Sequence, residues 1–236
     1  MAELLIVDDI APLAELFAEA VRSALGHSVH TIDRLDAVDT TLANLPHIDL
    51  ALIDLSFAGQ AGTGIDALVS VHRYSATTRL AVITQGDTYV ADTLRDAWEL
   101  LPIATVIAKS TPLAMQMNSI TMVLRDGSAP LDPAVRLLLP ERRNTNRTPE
   151  SFARLVQHAG HAKFWSALRE VENPTYKALS DCSGLKLNTL KNYRAQIVLD
   201  LAVHGLHDPS LADLRGFAVR CWPFLRPHIQ QRATEP

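Results

Sequence analysis

Four short apolar runs, LLIV, DLALI, LAVI and IATVIA, each deliver a polar or charged side chain at or just past their ends. Those side chains are Asp8 and Asp9, Asp54, Thr84 and Lys109. Short apolar runs separated by amphipathic stretches read as buried parallel strands alternating with helices. Open parallel sheets bind their ligands outside the carboxyl ends of the strands. Three carboxylates, one hydroxyl and one ammonium are therefore expected to converge on one small site. That set has the chemistry of an aspartate that works with Mg²⁺ and accepts a phosphoryl group.

The pattern predicts strands at 3–8, 28–32, 49–54, 79–84 and 103–108. Helices are expected between and after them, at about 11–25, 34–44, 64–73, 87–100 and 111–125. In the first helix Leu13, Leu16, Phe17, Ala20, Val21 and Ala24 form one apolar face. The last is expected to start at Ser110 or Thr111 as N-cap, with Pro112 in its first turn. Five such units make an α/β doubly wound, five-stranded parallel sheet. The segment 126–147 carries Gly127, Pro130, Pro133, Pro140 and the polar run ERRNTNRT. It reads as a linker, with room for a short helix at 132–139.

Residues 1–125 resemble the receiver domain of bacterial two-component response regulators. The resemblance implies that Asp54 is the phosphoacceptor, with Thr84 as a switch hydroxyl and Lys109 paired with the phosphoryl group. It also implies that Asp8, Asp9, Asp54 and the backbone carbonyl of Ser56 hold Mg²⁺. The physical logic agrees: Mg²⁺ takes hard oxygen ligands, and phosphoryl transfer is served mainly by positioning and by cations. Several positions depart from the family pattern. Ala58 stands where receivers usually have Pro, and the loop to Gly64 is about two residues longer. Val106 replaces the usual rotating aromatic, and Ser110 follows Lys109 in place of Pro. An aspartyl-phosphate hydrolase of another fold is disfavoured, because such enzymes usually place a second Asp where this chain has Ser56.

With 236 residues and 47 % apolar content, the chain is long enough for one large or two modest domains. No stretch approaches the length of a membrane span, and an early strand leaves no room for a signal peptide, so a cytoplasmic protein is expected. Cys182 and Cys221 are too few for a disulfide framework and are expected as reduced thiols. Charge is unevenly divided. Residues 1–140 carry 8 Lys and Arg against 17 Asp and Glu, whereas residues 141–236 carry 14 against 9. An acidic half joined to a basic half suits a regulatory domain tied to a nucleic-acid reader.

From Pro149 the pattern is all-helical, with helices expected at 149–159, 161–172, 174–182, 187–203 and 210–231, the last broken by Pro223 and Pro227. Ser180, Gly184, Leu185 and Leu190 have the spacing of a helix-turn-helix: a small residue at the helix contact, a turn Gly, and apolar plugs. His158 with His161, and His204 with His207, sit three apart but lack a third metal ligand of suitable spacing.

The run Asn188-Thr189-Leu190-Lys191-Asn192-Tyr193-Arg194 and the closing Leu201-Ala202-Val203-His204 resemble LuxR/FixJ-type output domains. The match covers roughly 163–204 within a helical domain at 148–236. By this resemblance 187–201 is a recognition helix, and Lys186, Asn188, Thr189, Lys191, Asn192 and Arg194 contact DNA. The two resemblances together imply a cytoplasmic transcription regulator rather than an enzyme. It would be phosphorylated by a sensor histidine kinase, catalyse only phosphoryl transfer to and from its own Asp54, and bind DNA as a homodimer through segments near 111–125 or 210–231. Ser183 stands where a buried Leu is normal, and the helical tail is long. These departures keep a second expectation open, a receiver coupled to a protein-interaction bundle that never touches DNA.

Overall fold

The computed structural model describes residues 1–86 and 88–233, with Tyr89 described for its backbone alone. The chain divides into two compact units, Met1–Arg143 and Asn144–Pro236, the second described as far as Ala233.

In the first unit β1 (Glu3–Val7), β2 (Ser28–Ile32), β3 (Leu50–Ile53), β4 (Arg79–Thr84) and β5 (Ile103–Ala108) form an all-parallel sheet in the order β2-β1-β3-β4-β5. The connecting helices are α1 (Ala11–Leu25), α2 (Val38–Asn44), α3 (Gly64–Tyr74), α4 (Ala91–Leu100) and α5 (Leu113–Asp126). The sheet is buried on both faces, which is why its strands read as unbroken apolar runs rather than alternations. The strand order reverses at β1, which places a ligand crevice between the carboxyl ends of β1 and β3.

Four details differ from expectation. Single 3₁₀ turns, Leu35–Ala37 and Thr88–Val90, precede α2 and α4; the expected start of the latter helix at Asp87 lies outside the described residues. Helix α5 begins two residues later than predicted, with Pro112 rather than Ser110 or Thr111 in the N-cap position. The Thr111 hydroxyl is instead bonded to Asp132. On α1 the buried face is Ala14, Ala18 and Val21, whereas Leu13 and Leu16 remain 47 % and 69 % exposed. Small residues let the helix lie close to the sheet, and the larger leucines turn outward.

The fourth difference concerns 126–147, which is not a free linker. The Ala129 N–H donates to Ala104 O and the Asp132 N–H to Val106 O, each at 3.3 Å. The Thr105 hydroxyl adds a bond to Pro130 O at 3.2 Å. Helix α6 (Pro133–Arg136) follows, with Val135 fully buried. Arg143 then donates to Ile103 O at 3.1 Å and lies 4.0 Å above the Trp98 ring. β5 is an edge strand whose outer N–H and C=O groups need partners or cover. This strap supplies both, a demand invisible in its own polar composition.

The second unit opens with a 3₁₀ segment, Pro149–Leu155, in place of the expected helix at 149–159. The helices α7 (Ala159–Glu170), α8 (Tyr176–Ser183), α9 (Leu187–Val203), α10 (Leu211–Arg220) and α11 (Trp222–Ala233) follow. Phe152, Phe164, Trp165 and Phe217 are fully buried at its centre. The Trp165 indole N–H is satisfied by Leu155 O at 2.9 Å. Leu214, Phe217, Phe224, Leu225 and Ile229 are buried within this unit. The segment 210–231 therefore spends most of its apolar surface internally.

Candidate functional site

Each site residue of the first unit is placed by a strand end. Asp8 follows β1, Asp54 follows β3, Thr84 closes β4 and Lys109 follows β5. The Lys109 ammonium bridges two carboxylates, at 2.6 Å from Asp8 Oδ2 and 2.7 Å from Asp54 Oδ2. Asp8 Oδ1 accepts the Ile10 N–H at 3.0 Å, and Asp54 Oδ1 accepts that of Leu55 at 2.7 Å. Burial raises the Asp54 carboxyl above its ordinary value, against the opposing pull of Lys109. Burial alone would lower the Lys109 ammonium, but the two carboxylates outweigh it and hold it above its ordinary value. The ammonium is thus kept charged between the two carboxylates.

The four charged members of the expected set converge. Asp8, Asp9 and Asp54 offer carboxylate oxygens within 4.8 Å of one another. Among the described residues this is the one cluster of three or more His, Cys, Asp or Glu side chains close enough to hold a metal ion. Three carboxylates against one ammonium leave an excess of negative charge, and all the donors are hard oxygens. Such a set fits Mg²⁺. Ser56 lies in the loop after Asp54, its N–H 3.4 Å from Asp54 Oδ1. Thr84 is fully buried, its carbonyl accepting the Lys109 N–H at 2.7 Å and its hydroxyl the Gly86 N–H at 3.4 Å. Gly64 is required by close approach: a Cβ there would sit 1.9 Å from the Asp54 carbonyl oxygen. Val106 is fully buried in β5. A groove of about 530 Å³ between α1 and α5 reaches Asp8 and Lys109, with Leu13, Leu16, Phe17 and Leu113 along it.

Two contributors escaped the sequence reading. The Ala58 N–H donates to Asp9 Oδ2 at 2.9 Å, and the Gln60 side chain ties the same loop to Asp33 and Leu35. Their signals were the greater length of the loop and Ala58 standing where receivers usually have Pro, which leaves an N–H to donate.

In the second unit α8 and α9 form the expected helix-turn-helix. Gly184 caps α8 at φ 70°, a left-handed conformation that favours glycine. The Ser180 hydroxyl bonds Leu185 O at 2.6 Å. Ser183 closes α8 and is half-buried rather than in the core, its hydroxyl donating to Leu179 O at 2.6 Å. Lys186, Asn188, Lys191 and Asn192 are exposed and Thr189 is half-buried. Arg194 is different. Its guanidinium donates to Pro209 O at 2.7 Å, Asp208 at 3.2 Å and the Tyr176 hydroxyl at 3.4 Å. The structure therefore gives Arg194 a part in holding the turn after α9. The paired histidines are likewise engaged within the unit. The His158 ring caps α7 through the N–H groups of Gly160 and His161, and His161 is buried against Gln196.

No protein-family model and no curated protein sequence matches this chain. Solved structures do. A two-component response regulator of the LuxR family from an Aurantimonas species is 18 % identical, covering 58 % of this chain and 94 % of its own at a TM-score of 0.50. The isolated receiver domain of RcsB from Salmonella enterica, solved with a phosphomimetic, is 18 % identical over 59 % of this chain and 99 % of its own, TM-score 0.49. A second RcsB structure, from Salmonella typhimurium, is 15 % identical over 92 % and 98 %, TM-score 0.48. The five-stranded parallel sheet with its flanking helices is the receiver fold, and a helical unit follows it. Among the described residues no helix is long and apolar enough to cross a membrane.

Proposed function

We propose that this chain is a phosphorylation-controlled response regulator. Its first unit accepts a phosphoryl group on Asp54 from a sensor histidine kinase, and its second unit reads DNA. The observation that carries the reading is the Lys109 ammonium set between Asp8 and Asp54 at strand ends, with Asp9 alongside. An Asp54 carboxylate oxygen attacks phosphorus, and the bond to the donor nitrogen breaks with its electron pair leaving on that nitrogen. Asp8, Asp9, Asp54 and the Ser56 carbonyl would hold Mg²⁺, which supplies positive charge for the phosphoryl oxygens. Lys109, freed from the esterified oxygen, pairs with the phosphoryl group. The Thr84 hydroxyl leaves the Gly86 N–H and turns toward a phosphoryl oxygen, altering the β4–α4 loop. Val106 has no ring to rotate, so the signal runs through that loop and not through an aromatic switch.

The acquired state then controls the second unit. Lys186, Asn188, Thr189, Lys191 and Asn192 face the major groove, and a homodimer would bind paired half-sites in the cytoplasm. The protein is a regulator; its catalysis is limited to its own Asp54. The test is incubation with acetyl phosphate and Mg²⁺, read by intact mass, followed by selection of genomic DNA fragments with and without beryllofluoride at two salt concentrations. Addition of one phosphoryl group, abolished in Asp54→Asn, and fragment enrichment that strengthens with beryllofluoride are expected. Phosphorylation with no enrichment at either salt would move the output to a protein partner. No phosphorylation would end the reading.

A further inference from the structure

The loop joining β3 to α3 is built around one carboxylate. The Ala58 N–H reaches Asp9 Oδ2 at 2.9 Å, a contact between residues 49 apart in sequence. The loop is held there from two sides. Phe57 is buried at its start. Gln60 then uses both ends of its amide on the backbone that follows β2: Nε2 donates to Asp33 O at 2.9 Å and Oε1 accepts the Leu35 N–H at 2.8 Å. Two inner bonds close the turn, Gln60 N–H to Phe57 O at 3.3 Å and Gly62 N–H to Gln60 O at 3.1 Å. Gly59 and Gly62, at φ 72° and 148°, make that tight path possible.

Asp9 is less buried than Asp8 or Asp54, and Lys109 bridges those two carboxylates. A half-exposed carboxylate samples several rotamers unless something fixes its plane. A backbone N–H on one oxygen does so and leaves the other free for a cation. Outer partners of this kind orient metal ligands and commonly govern affinity by 10- to 100-fold. We propose that Gln60, acting through the Ala58 N–H, is a positioning residue that sets Asp9 as a ligand for Mg²⁺. This rests on reading the acidic cluster as a Mg²⁺ site. Residue 58 must then be anything but proline, whose nitrogen carries no hydrogen.

The experiment is calorimetric titration of the full chain with Mg²⁺ alone, for the wild type, Gln60→Ala, Ala58→Pro and Ala58→Ser. Thermal unfolding of each is measured without Mg²⁺. Expected are Kd values raised about 10-fold in Gln60→Ala and Ala58→Pro, wild-type affinity in Ala58→Ser, which keeps the N–H, and unchanged unfolding temperatures without metal. Equal affinity in all four proteins overturns the proposal while leaving the site intact. A loss that Ala58→Ser shares, or that tracks a lower unfolding temperature without metal, also overturns it, since the loop would then only hold the fold. A wild type with no saturable binding removes the Mg²⁺ reading itself and the proposal with it.

Discussion

Lys109 and Arg194 are both cations with more than one partner, yet they do different work in the two units. Lys109 lies between two buried carboxylates at strand ends, with its side chain 14 % exposed. In such surroundings charge pairing is strong and the partners have little else to bind. Arg194 grips a carbonyl and an Asp208 side chain that is 95 % exposed. Its ion pair is screened by water and contributes little; its value lies in tying down a turn. In the first unit the charges are the site. In the second, the side chains proposed to face DNA are mostly exposed, and Arg194 is largely taken up in holding the fold.

The largest test of that contrast is Asp54→Asn, which should abolish phosphoryl incorporation from acetyl phosphate by intact mass while leaving DNA affinity of the unmodified protein unchanged. Persistent incorporation would move the acceptor elsewhere.

Gly64→Ala comes next. Its Cβ would press on rigid backbone at Asp54, so a loss of about 3 kcal/mol in urea unfolding is expected. The parallel change in the second unit, Gly160→Ala, meets the Tyr193 ring, which can rotate, and alanine's better helix propensity offsets part of the strain. It should cost less, and an equal cost would blur the distinction between a backbone-built site and a side-chain-built one.

Arg194→Ala should lower stability of the second unit by about 1 kcal/mol through its lost hydrogen bonds. Lys191→Ala should leave stability alone, weaken DNA binding across all sequences and reduce the salt slope by about 1. The reverse assignment would return Arg194 to the DNA face.

The smallest effect is pH dependence at His161. Burial holds its imidazole below the ordinary value of 6.5, so the folded state favours the neutral ring. Its contribution is complete above pH 6.5 and lost as pH falls toward the depressed folded value. Scanning calorimetry should therefore show the second unit weakening on acidification below pH 6.5. His161→Gln should flatten that slope, and an unchanged slope would place the titration elsewhere.

The five strands, the site side chains at their ends, and the helix-turn-helix were legible from spacing alone. Buried parallel strands must be apolar, and whatever breaks the run at its end is delivered to one edge of the sheet. The turn glycine of α8 was legible because few other residues adopt its φ. Three things were decided only by tertiary structure. The outward turn of Leu13 and Leu16 depends on how closely Ala14 and Ala18 let α1 approach the sheet. The binding of 129–143 depends on β5 being an edge strand, a property of strand order and not of any local window. The clamp of Ala58 and Gln60 on Asp9 runs through backbone atoms far apart in sequence; a residue other than proline at 58 permits the N–H, but only the fold decides which oxygen accepts it.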